Sequence, residues 1–85
     1  MYIHLGRDVV VRDHCIIGIF DLDKTTTGAV SREFLKAAEK ADRVTNVSSE
    51  LPKSFVVTVE DNIQRVYISP ISTATLNERL SSGRA

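Results

Sequence analysis

The chain has 85 residues, 42% hydrophobic and 26% charged, with Lys and Arg matched by Asp and Glu for a net charge of zero. That length predicts one domain over residues 1–85, with a thin core of the kind that gains burial by self-association. A pI near 6.7 argues against a monomer that grips nucleic acid through bulk charge, because phosphate neutralisation needs clustered Lys and Arg. The single cysteine, Cys15, excludes an intramolecular disulfide.

Tyr2 to Leu5 and Val9 to Val11 are short β-prone runs joined by Gly6-Arg7-Asp8, where glycine supplies the positive φ of a tight turn. Arg12-Asp13-His14 breaks the pattern. Cys15 to Phe20 is then almost continuously apolar, which predicts a third strand buried on both faces. Gly18 inside it lets a neighbouring backbone or helix approach closely. Thr25, Thr26 and Thr27 offer N-cap hydroxyls for a helix over residues 28–41. Its apolar stripe is Val30, Phe34, Ala37, Ala38 and Ala41.

Residues 43–53 read as loop, or as a short strand around Val44 and Val47. Ser54 to Glu60 alternates, with Phe55, Val57 and Val59 on one face and Val56, Thr58 and Glu60 on the other. Asp61-Asn62 turns the chain into a partner strand, Arg65 to Ser69. Val66 and Ile68 face one way there, Arg65 and Tyr67 the other. Ile63 falls out of phase with Val66, which predicts a longer loop or a bulge. Pro70 ends the strand, and Ser72 caps a short helix carrying Leu76 and Leu80. The order β-β-β-α-(β)-β-β-α predicts an α+β fold. Its form is a small antiparallel sheet of four to five strands, with one longer central helix and a short C-terminal helix.

Little in the chain carries catalytic chemistry. His4 and His14 lack zinc-site spacing, and Asp21 with Asp23 after a strand suits a loop-and-cap role better than a cation site. No triad surrounds the serines and no glycine-rich phosphate loop is present. We therefore expect no enzymatic activity, no cofactor and no metal. Charged residues interrupt every N-terminal apolar run, unlike a signal peptide, and no stretch approaches the roughly 20 apolar residues of a membrane helix. The expected location is the cytoplasm, without membrane attachment. The basic residues are what remain. Arg7 and Arg12 flank the second strand, His14 lies at the same rim, Lys53 precedes the Phe55 strand, and Arg65 is near Tyr67. An arginine beside a tyrosine suits phosphate contact and base stacking. Spacing alone favours the alternative, a solvated sheet face with cross-strand partners.

Four blocks of wording add to this. Tyr2-Ile3-His4-Leu5-Gly6, Ile16-Ile17-Gly18-Ile19-Phe20-Asp21, Lys53-Ser54-Phe55-Val56-Val57-Thr58 and Tyr67-Ile68-Ser69-Pro70-Ile71-Ser72-Thr73-Ala74-Thr75-Leu76 cover most of the chain in order. They resemble the RemA/RemB-like family of small bacterial extracellular matrix regulators, on its RemB side. The resemblance implies a LytTR-like fold, a homo-oligomer of ring type, and DNA as the partner in the control of matrix (biofilm) genes. A ring would answer the charge objection, since repetition turns one or two arginines per subunit into many phosphate contacts. The candidate DNA-binding residues are Arg7, Arg12, His14, Lys53 and Arg65. Arg7 and Arg65 rest on the residues alone; the Arg12–His14 and Lys53 regions match basic regions of the family. The chain departs from the family at Cys15, where a basic residue is expected, and at Glu50-Leu51-Pro52-Lys53, where an arginine cluster is expected. Those departures support the alternative of a ring-forming assembly or protein-partner module without direct DNA contact.

Overall fold

A computed structural model describes residues 1–22 and 29–82. Strands β1 (Tyr2–Gly6) and β2 (Val9–Arg12) form an antiparallel two-stranded sheet. Its turn uses backbone that few residues tolerate, with φ of +134° at Gly6 and +46° at Arg7. A Cβ on Gly6 would lie 2.9 Å from Val47 Cγ1, so glycine is required both by conformation and by space. Alternation sends Ile3, Leu5 and Val11 inward and leaves Tyr2, His4, Val10 and Arg12 outside. A single 3₁₀ turn, Asp13–Cys15, leads into β3 (Ile16–Asp21) and buries Cys15.

The main sheet has the order β3-β5-β6-β4, with β4 at Val44–Asn46, β5 at Ser54–Glu60 and β6 at Ile63–Ser69. Helix α1 spans Ala29–Lys40 and helix α2 spans Thr73–Ser82. Both faces of the sheet are covered. On one, Val56, Tyr67, Ile16 and Ile19 meet Ile3, Leu5 and Val11 of the hairpin and Leu76 of α2. On the other, Phe55, Val57, Val66 and Ile68 meet Phe34, Leu35 and Ala38 of α1. This two-sided cover explains why five successive residues of β5, Ser54 to Thr58, are buried. Buried hydroxyls stitch the layers together. Ser69 Oγ donates to the Leu5 carbonyl at 2.6 Å and accepts from the Ile71 N–H at 3.1 Å, while Ser54 Oγ donates to the Ile71 carbonyl at 2.7 Å. Ser72 Oγ caps α2 by accepting the Thr75 N–H at 3.3 Å. Among the described residues, no helix is long and apolar enough to cross a membrane.

The α+β class, the first hairpin and the two faces of β5 and β6 agree with the sequence reading. Other expectations do not hold. The strands form two sheets, and β4 runs parallel to β6, pairing Val44 with Val66 and Asn46 with Ile68. Strand β3 is not doubly buried: it lies at the sheet edge, with Ile17 62% and Phe20 39% exposed. Its apolar run is ambiguous by periodicity, because an edge strand and a central strand share that composition. No bulge follows Asp61-Asn62. Their φ values of +54° and +65° are those a type I′ turn requires, so Glu60 pairs directly with Ile63, which lies exposed on the Arg65 side. The register shifts instead between Ile16 and Gly18, and in the first hairpin between His4 and Gly6. In α1 the buried face includes Leu35, and Ala37 and Ala41 are exposed. The Thr25–Thr27 cap and Asp23 lie outside the described residues, as does the side chain of Val30.

Candidate nucleic-acid interface

The five candidate residues are all exposed, but the fold divides them between two ends of the sheet. Strand register fixes the first group. Ile16 pairs with Thr58, and Thr58 with Arg65, so Arg65 lies at the end of the sheet where β3 begins. His14 sits in the 3₁₀ turn just before that start, and Arg12 ends β2 beside it. The second group lies at the other end. The Lys53 N–H donates to the Ser69 carbonyl at 2.9 Å, and the Lys53 carbonyl accepts from the Leu22 N–H at 3.0 Å. Arg7 follows Gly6, where an added Cβ would meet Val47 and Pro70, so it belongs to this corner too. It lines an open groove of about 640 Å³ with Asn46, Val47, Ser48, Ser49, Glu50 and Pro52. Thr58, of the Thr58–Arg65 pair, lies five residue steps along the chain from Lys53, about 17 Å at strand rise.

Arg12 is the best-placed cation. It pairs across the hairpin with Tyr2, and its guanidinium carbon lies 6.0 Å from the centre of the tyrosine ring. The Tyr2 side chain, and then the charge of Glu60, raise its pKa above the ordinary arginine value. Tyr2 itself is 61% exposed. The expected arginine–tyrosine neighbour was Arg65 with Tyr67, but Tyr67 is half-buried against the hairpin core. The exposed partnership is Tyr2 with Arg12, which counting outward from the Gly6-Arg7-Asp8 turn would have revealed.

His14 has an acidic neighbour. The Asp13 carboxylate accepts the His14 backbone N–H at 2.9 Å and stands 3.7 Å from both the His14 ring and the Met1 ammonium. With Glu60 and Asp61 nearby, the first rim interleaves acids with its three basic side chains. His4 is occupied locally, its ring nitrogen in a hydrogen bond with the Arg7 carbonyl. Arg79 donates to the His4 carbonyl at 2.8 Å and so braces α2 against the hairpin. Cys15, where a cation was expected, is buried.

Comparison with known proteins bears on this arrangement. The family model described as RemA-like, "Extracellular matrix regulatory protein A-like", matches residues 2–80. The chain is also 44% identical over 79 residues to extracellular matrix regulatory protein B of Bacillus subtilis (strain 168), a match covering 93% of this chain and 89% of that protein. The match takes in the hairpin, both rims and most of α2, and on this ground the chain belongs to the RemA-like family of extracellular matrix regulatory proteins.

Proposed function

We propose that the protein is a cytoplasmic, non-enzymatic, oligomeric DNA-binding regulator of extracellular matrix (biofilm) genes, with a LytTR-like fold. The observation that carries the reading is the exposed Arg12–Tyr2 pair on the hairpin, with His14 and Arg65 at the same end of the sheet. A fixed guanidinium beside an aromatic ring suits a phosphate contact with a flanking stacking surface. Family membership supports a regulatory role in matrix production. Phosphate contact is the mode expected of the five candidate side chains, which lie at strand ends and in turns and not on α1 or α2. Repetition in an oligomer multiplies the few phosphate contacts that one neutral chain can make.

Anisotropy of a labelled matrix-operon promoter duplex, measured across salt concentrations, tests this. Binding weakens steeply as salt rises, and Arg12→Ala or Lys53→Ala flattens the log–log slope by about 0.9 per lost phosphate contact. Weak binding without a salt slope, from an intact oligomer, refutes it. The interleaving of Asp13, Glu60 and Asp61 with the basic rim favours a second reading, an assembly module that recruits a protein partner through a mixed-charge surface. That reading gains if the oligomer is intact and the salt slope is absent.

A further inference from the structure

The C-terminal end of α1 leaves a hollow of about 120 Å³ that the function proposed above does not use. Phe34, Ala37, Ala38 and Ala41 form its apolar wall, and Arg43 and Gln64 supply its polar side. The sequence makes this space. Alanine carries nothing beyond Cβ, so the last turns of α1 leave room beside Phe34. Gln64 alternates with Val66 and Ile68 along β6 and so faces α1. Arg43 is held there by its backbone. Asp42 has a φ of +57°, its N–H donates to the Glu39 carbonyl at 3.0 Å, and the Arg43 N–H donates to the Ala38 carbonyl at 2.9 Å. This is a Schellman cap with aspartate in the place that glycine usually takes. The Arg43 carbonyl in turn accepts the Val66 N–H at 2.8 Å. The residue is fixed to helix and sheet at once, and its side chain stays exposed. Among the described residues, the Arg43 guanidinium forms no ion pair, not even with Glu39 four residues earlier, and the Gln64 amide has no hydrogen bond.

We propose that this hollow binds a small aliphatic monocarboxylate, its carboxylate on Arg43 and Gln64 and its tail on Phe34 and the alanines. The lining selects that class. A guanidinium meets a carboxylate through two parallel N–H donors, and the Gln64 amide can add another. An apolar cavity of about 150 Å³ holds benzene, so the smaller hollow here takes a tail of roughly four carbons. A helix C-terminus ordinarily repels an anion. Here the cap occupies the Ala38 and Glu39 carbonyls, and Lys40 stands in the last turn. Glu39 and Asp42, exposed at the same helix end, limit the charge that fits. A phosphate dianion would meet both acids, whereas a carboxylate carries a single charge. The site lies on the α1 face of the sheet, opposite the hairpin with Arg12 and Tyr2. It stands independently of the DNA-binding reading.

Saturation-transfer NMR on the full chain tests it, because that method reads a small ligand on an assembly of any size. Isovalerate is titrated at constant ionic strength beside acetate, inorganic phosphate and isoamyl alcohol. Isovalerate saturates. Acetate binds at least roughly tenfold more weakly, since it buries three carbons fewer, and phosphate and the alcohol also fall behind. Arg43→Met keeps the stem and both backbone bonds but removes the cation, and weakens isovalerate roughly tenfold. Ala41→Leu fills the hollow and weakens it as well. Circular dichroism shows both variants folded. Absence of saturable isovalerate binding overturns the site. Acetate or phosphate binding as tightly as isovalerate overturns it too, leaving only an ion on an exposed arginine. Isoamyl alcohol binding equally well removes the carboxylate from the proposal and so refutes it. Unchanged isovalerate affinity in folded Arg43→Met and Ala41→Leu variants places the ligand elsewhere and has the same effect.

Discussion

Gly18 and Gly6 show how differently one residue type is used within a few turns of chain. A Cβ on Gly18 would lie 2.7 Å from the ring of Phe20, which folds back over the glycine and stacks on Phe55 with centroids 5.1 Å apart. Phe20 is partly exposed and is free to swing off, so Gly18→Ala sacrifices the stack, about 0.5–1.5 kcal/mol. At Gly6 the backbone is strained for any side chain and the blocking atom belongs to buried Val47. Gly6→Ala therefore costs more, about 1–3 kcal/mol for the backbone alone. Urea unfolding of the two variants checks the order, and equal losses would refute it. Neither contact was readable beforehand, since a glycine in a strand announces a close approach but not which neighbour makes it.

At the scale of elements, the sequence was most informative where period and turn chemistry agree. The alternation of Phe55, Val56, Val57 and Val66 sorts correctly into two cores, and Ser72 stands one turn before the residue it caps. It was least informative where position in the sheet decides. The apolar run of β3 suggested a central strand, whereas β5 is central and β3 is the edge. Val44–Asn46 joins the sheet through a parallel partner more than twenty residues away, which no local pattern announces. The candidate cations were visible as residue types, but their division between two rims depends on register. The hairpin's attachment makes a prediction at this scale. Ser69→Ala leaves the Leu5 carbonyl and the Ile71 N–H without their buried partner, a loss of about 1–3 kcal/mol. Leu76→Ala opens a void where α2 meets the hairpin, a loss of about 2–5 kcal/mol. Thermal unfolding reads both, and a Ser69→Ala variant as stable as the wild type would mean the Ser69 hydroxyl adds nothing to the apolar packing and the Arg79 brace.

For the whole molecule, a neutral chain divides its five candidate cations between two ends of the sheet, and among the described residues no strand pairs with the outer side of β3. The way the first hairpin is fastened has a further consequence, for how the protein is made. Its inward residues Ile3, Leu5 and Val11 pack against Leu76, and its backbone is tied to Ser69 and Arg79. A chain emerging from the ribosome therefore presents that hairpin long before α2 exists to secure it. An early-made segment thus waits on a late one, and during synthesis the hairpin's apolar face stays open to chaperones and to misassembly.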